Sequence, residues 1–101
     1  MSQILSWISD WMRAQCNDDW EHMYGIKIGT SDNPGWYVTI DVAGTELESL
    51  VLETEVVENG EDDWYFYRIK DKQYFGAGDL TKLDFLLQIF RDIVQDHSNL
   101  S

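Results

Sequence analysis

Two runs of period-two alternation, separated by a dense turn, constrain this chain more than any other feature. Tyr24, Ile26 and Ile28 alternate with Gly25, Lys27 and Gly29, and Trp36, Val38, Ile40 and Val42 restore the alternation further on. A spacing of two puts each apolar set on one face of a strand. Between them lies Ser31-Asp32-Asn33-Pro34-Gly35. Asp32 and Asn33 can bond their own backbone, Pro34 fixes φ, and Gly35 tolerates positive φ. Residues 24–42 therefore predict an antiparallel hairpin with a five-residue connection. Just ahead, Asn17-Asp18-Asp19 makes a poor helix interior, because short polar side chains compete for the backbone. A preceding helix must stop there.

That helix is expected over residues 2–16, with Ser2 as N-cap. Ile4, Ile8, Trp11, Met12 and Gln15 fall on one side at helical spacing, and Leu5, Trp7 and Cys16 widen the stripe. Trp7 and Trp11 lie one turn apart and can touch. The stripe reads as a face laid on a sheet.

After the hairpin, Ala43-Gly44-Thr45 ends a strand and Glu46 to Ser49 reads as a loop or helical turn. A third strand is expected over residues 50–58, with Leu52, Thr54 and Val56 on one face and Val51, Glu53, Glu55 and Val57 on the other. Charge at the centre of the second face points it towards water. Asn59-Gly60 signals another hairpin, lengthened by Glu61-Asp62-Asp63. The fourth strand, residues 64–70, holds Trp64, Tyr65, Phe66, Tyr67 and Ile69 in a nearly continuous apolar run. Two readings fit: a strand covered on both faces, or one with an aromatic face left open for a partner. Asp71-Lys72 makes a turn, Gln73 to Phe75 adds a short edge strand, and Gly76-Ala77-Gly78 breaks it.

The last helix is the strongest element. Leu83, Leu86, Leu87, Phe90, Ile93 and Val94 recur at three and four, Phe85 and Ile89 extend the stripe, and Thr81 with Asp84 forms a capping-box pattern. It is expected to fade near His97, leaving a polar tail. The fold class is then α+β: an antiparallel four- to five-stranded β-meander flanked by an N-terminal and a C-terminal helix packed on the sheet. With 101 residues the chain reads as one domain, 1–101.

Charge narrows the partners. Nineteen acids face seven bases, for a net charge of −12. Such a field repels nucleic acid and anionic membrane and attracts basic proteins. Between Lys27 and Arg68 there is no Lys or Arg, while that window holds Asp32, Asp41, Glu46, Glu48, Glu53, Glu55, Glu58, Glu61, Asp62 and Asp63. Cys16 is the sole cysteine, which rules out an intrachain disulfide and fits a reducing compartment. Asp10 interrupts the N-terminal apolar segment, no leader pattern is visible, and no run approaches the ~18 apolar residues a membrane span needs. A cytoplasmic protein is expected.

No constellation points to catalysis. Asp18, Asp19, Glu21 and His22 match neither an EF-hand nor a two-histidine zinc helix and read as a solvated turn. Cys16, near the apolar stripe, reads as a buried structural thiol. The chain has no Gly-x-Ser-x-Gly elbow and no P-loop, and Gly76-Ala77-Gly78 lacks the Lys and the further glycine of a phosphate loop. No catalytic residue, metal ligand or cofactor is assigned.

The order of several short pieces carries a resemblance. Trp7 and Trp11 on a first helix lead to Cys16, then Asp19-Trp20-Glu21-His22, Tyr24-Gly25 and Asp32-Asn33-Pro34-Gly35-Trp36, with Leu83 to Arg91 near the end. This order resembles the immunity protein 53 family of bacterial polymorphic toxin systems. The resemblance implies a protein that binds and neutralises a cognate toxin domain and does no chemistry of its own.

The residues themselves nominate a contact set. Glu53, Glu55, Glu58, Glu61, Asp62 and Asp63 would meet a basic cleft, such as that of a nuclease, in place of phosphates, while Trp36 and Trp64 are either anchors or core. The expected partner is a basic toxin protein, met by a monomer or homodimer. The alternative is an acidic, DNA-mimicking module that regulates a basic host protein.

Overall fold

The computed structural model describes residues 3–32 and 34–100. The expected Ser2 cap, the part of Asn33 in the turn and the final Ser101 lie outside the described residues. Among them are three helices, α1 (Gln3–Gln15), α2 (Trp20–Met23) and α3 (Leu83–Leu100). Six strands lie between: β1 (Ile26–Ser31), β2 (Gly35–Asp41), β3 (Leu52–Glu53), β4 (Val57–Gly60), β5 (Asp63–Lys70) and β6 (Gln73–Asp79). The class is α+β, as the sequence implies: an antiparallel sheet with helices at both ends of the chain.

The sheet runs β1-β2-β6-β5-β3, with β4 also paired to β5. The chain thus leaves β2, crosses one end of the sheet through residues 42–51, and returns from the far edge until β6 closes the gap beside β2. Val42 and Leu47 in this crossing are fully buried, and the Thr45 hydroxyl braces it by donating to the Val42 carbonyl at 2.7 Å and accepting the Leu47 N–H at 3.1 Å. β6 is therefore a central strand of seven residues, not the short edge strand over Gln73 to Phe75 that the sequence suggested. The glycines do not break it. A Cβ on Gly76 would lie 2.9 Å from the Tyr74 hydroxyl and 3.1 Å from a Leu86 methyl, and one on Gly78 would lie 2.8 Å from Lys82 Cβ. They are small because α3 rests directly on this strand.

The expected third strand is split. Glu53 lies opposite Arg68 and Val57 opposite Tyr65, so three residues of the edge, 54–56, face only Phe66 and Tyr67. A second register shift falls between Glu58 and Gly60. Thr54 patches the gap: its Oγ1 accepts the Tyr67 N–H at 3.1 Å and donates to the Tyr67 carbonyl at 3.0 Å. Two bulges on one edge twist it out of the flat form that another chain could extend. The first hairpin is tighter than expected, because Ser31 pairs with Gly35 and joins the ladder.

Both long helices pack on one face of the sheet. Val38 and Ile40 of β2, Tyr74 of β6 and Ile69 of β5 form the sheet side of the core; Ile4, Ile8, Trp11, Leu86, Leu87 and Phe90 form the helix side. Trp7 and Trp11 both set an edge against Phe90, at 6.2 and 4.9 Å between centroids. Tyr74 is driven inward, its phenol pushed far up in pKa by burial, and it donates to the Leu86 carbonyl at 2.7 Å. α3 runs on past His97 to Leu100, since neither Gly nor Pro follows to stop it. No helix among the described residues is long and apolar enough to cross a membrane.

Candidate functional site: the uncovered face of the sheet

Alternation along β5 sends Tyr65, Tyr67 and Ile69 towards the helices and Trp64, Phe66 and Arg68 the other way. The register aligns Phe75 and Ala77 of β6 and Tyr37 of β2 with the second set. Phe66 and Phe75 stack at 5.7 Å between centroids, and the Arg68 guanidinium lies 5.0 Å above the Phe75 ring. The solvent side of an antiparallel sheet is ordinarily polar. Here its centre is a row of aromatic rings, half-buried or, for Tyr37, 37% exposed, with no helix of the described residues over them. Of the two sequence readings of β5, the aromatic face left open is the one observed.

Trp64 stands between two shallow depressions. One, of about 500 Å³, is bounded by Tyr37, Phe75, Ala77, Ser31 and Asp32. The other, of about 550 Å³, is bounded by Phe66, Val56, Pro34, Glu58, Glu61 and Asp62. The turn after β1 and the loop between β4 and β5 thus meet at one end of the sheet and give it an acidic rim. Arg68, Lys70 and Lys72 gather at the opposite end, where Lys70 pairs with Glu53 at 3.7 Å and Lys72 with Glu48 at 3.4 Å.

The structure divides the residues nominated from sequence. Trp64, Glu58, Glu61 and Asp62 come together around the second depression. Asp63 is exposed but engaged: Lys82 donates to it at 2.8 Å. Glu53 sits at the other end of the strand, paired with Lys70, and Glu55 is exposed in the break between β3 and β4. Trp36 points to the helix-covered side, and its indole N–H donates to the Leu80 carbonyl at 3.2 Å, which ties the hairpin to the segment before α3. Tyr37, Phe66 and Phe75 were missed. For Tyr37 the signal was available, since it is an aromatic residue at the polar phase of β2.

The rim is held by Asp79, which is 2% exposed. Its carboxylate accepts the Trp64 N–H at 2.9 Å, the Thr81 N–H at 2.7 Å, the Thr81 hydroxyl, and the Lys82 ammonium at 3.0 Å. Burial opposes ionisation, but these donors, led by the Thr81 hydroxyl, outweigh it and hold the carboxyl well below the usual range. Lys82 is raised in turn by its bonds to Asp63 and Asp79.

The residues around α2 serve the fold. Asn17 Oδ1 accepts the N–H groups of Asp19 and Trp20, while Glu21 accepts those of Asn17 and Asp18. Its own backbone N–H first, then that of Asn17, lowers the Glu21 pKa. Trp20 is buried against Trp11 and Tyr24, and its indole donates to the Ala43 carbonyl at 2.7 Å. Cys16 is exposed rather than buried, because α1 ends at Gln15 and the thiol turns back to the Met12 carbonyl. Among the described residues no group of three or more His, Cys, Asp or Glu side chains is arranged to hold a metal ion.

The family model described as Immunity protein 53 matches residues 5–95, which is nearly the whole chain. The chain belongs to the immunity protein 53 family. Membership suggests a toxin-neutralising role and a cognate toxin as partner. No curated protein and no solved structure gives a significant match. Within this immunity protein 53 chain, Trp20 and Trp36 make contacts that build the fold, while Asp32 and Pro34, from the turn ahead of Trp36, border the uncovered face.

Proposed function

We propose that residues 1–101 form a single-domain immunity protein that binds one cognate bacterial toxin domain and neutralises it by occluding its active site, without chemistry of its own. The observation that carries this reading is the family match over residues 5–95. The acidic field supports a basic target, such as a nuclease: the net charge is −12, and acids gathered at the rim would stand in for phosphates in a basic cleft. The protein acts in the cytoplasm of the producing bacterium, as a monomer or homodimer, with no cofactor. A regulator that mimics DNA towards a basic host protein is the alternative favoured by the same charge.

Calorimetric titration of the inactivated toxin domain encoded beside this gene tests the proposal. Tight one-to-one binding, with protection of cells that express the active toxin, is the expected result. Absence of both, with binding to a housekeeping nucleic-acid protein instead, would replace it with the regulatory reading.

A further inference from the structure

Resting on the immunity reading, we infer that the uncovered sheet face, centred on Trp64, is the docking surface, and that it receives a basic segment of the toxin domain. That segment places a Lys or Arg in the hollow of Glu58, Glu61 and Asp62 and an apolar side chain in the hollow of Tyr37 and Phe75. Three observations carry this. Both hollows share Trp64 as a wall, so neighbouring side chains of a partner would straddle one ring. The hollows differ in chemistry: one is walled by three carboxylates, and the other, among the described residues, by Asp32 alone of the charged side chains. The chain also displays the recognition mode itself, since Arg68 already lies over Phe75 on the same face.

Charge selects the occupant. A second copy of this chain carries the same net charge of −12, whereas a basic segment meets complementary potential at the rim and rings for its aliphatic stem at the centre. Trp at the middle of a contact is the residue type that most often dominates binding.

The test measures association and dissociation rates between the full chain and the inactivated toxin domain encoded beside its gene, at several salt concentrations. Trp64→Ala is expected to weaken binding at least about thirtyfold, chiefly through faster dissociation. The triple variant Glu58→Lys, Glu61→Lys, Asp62→Lys alters only exposed side chains. It is expected to slow association and flatten its salt dependence. A control with the same change in net charge, Asp10→Lys, Asp92→Lys, Asp96→Lys, places the reversals on the helices and is expected to keep most of the wild-type affinity.

If wild type binds and both face variants bind equally well, or if the helix control loses as much as the rim triple, the surface is wrong while the immunity reading stands. If wild type neither binds nor protects, the reading fails and the inference with it. A self-association that Trp64→Ala abolishes, with toxin binding unchanged, would give the face to a second copy and overturn the proposal.

Discussion

The carboxylate of Asp79 accepts the backbone N–H of Trp64 at 2.9 Å, so a buried acid at the end of β6 fixes the start of the exposed aromatic row on β5. The same carboxylate holds Thr81 and Lys82 at the approach to α3. The uncovered face and the helix behind it therefore share one anchor.

Removing that anchor leaves Lys82 short of a partner and two backbone N–H groups unmet. Asp79→Ala is expected to lower unfolding free energy by about 3 kcal/mol. Asp79→Asn, which keeps an acceptor, should lose less. Urea denaturation of the two variants checks the order.

The depressed Asp79 carboxyl also sets a pH dependence. Its folded pKa lies below the unfolded value of about 3.9. Its contribution is therefore fully present above that value and is lost as pH falls through and below it. Melting temperatures of wild type and Asp79→Ala should differ by a constant amount above about pH 5 and converge as acid is added. A gap that persists at low pH would show that the anchor acts through packing rather than charge.

Trp20 seals the junction between the helices and the crossing segment. Trp20→Phe keeps most of the ring but leaves the Ala43 carbonyl without its buried donor. A loss of about 2 kcal/mol is expected, read by thermal or urea unfolding.

One substitution on opposite faces of the sheet should give opposite results. Gly76→Ala pushes a methyl group against the Tyr74 hydroxyl and Leu86 and is expected to cost about 2 kcal/mol. Gly29→Ala first meets the ring and hydroxyl of Tyr37, at 2.5 Å. That exposed ring can swing away, so stability should change by less than about 1 kcal/mol while the Tyr37 side of the hollow is reshaped. Paired unfolding curves separate the two cases.

The two long helices and the first hairpin were legible because each announces its own period, and β5 because its apolar run is nearly continuous, while the short α2 was hidden in what reads as a turn. β6 was not, since Gly76 and Gly78 are glycines for the sake of a helix that arrives later in the chain, and nothing local records that approach. The split of the expected third strand depends on Thr54 meeting Tyr67, a contact between strands rather than a local preference. The same limit applied to the acidic set. Charge density marked the region, but only the register could separate Glu58, Glu61 and Asp62 around Trp64 from Glu53 beside Lys70. Trp36 and Trp64 look alike as residues, and opposite phases in their strands send one to the helices and the other to solvent.

The alternation along β5 has a consequence for how such a protein can change over generations. Tyr65, Tyr67 and Ile69 pack against the core, while Trp64, Phe66 and Arg68 lie on the proposed docking face. Because the two sets point to opposite faces of the sheet, a lineage whose partner docks on the open face can rewrite the outward set one residue at a time, while the inward set keeps the architecture constant.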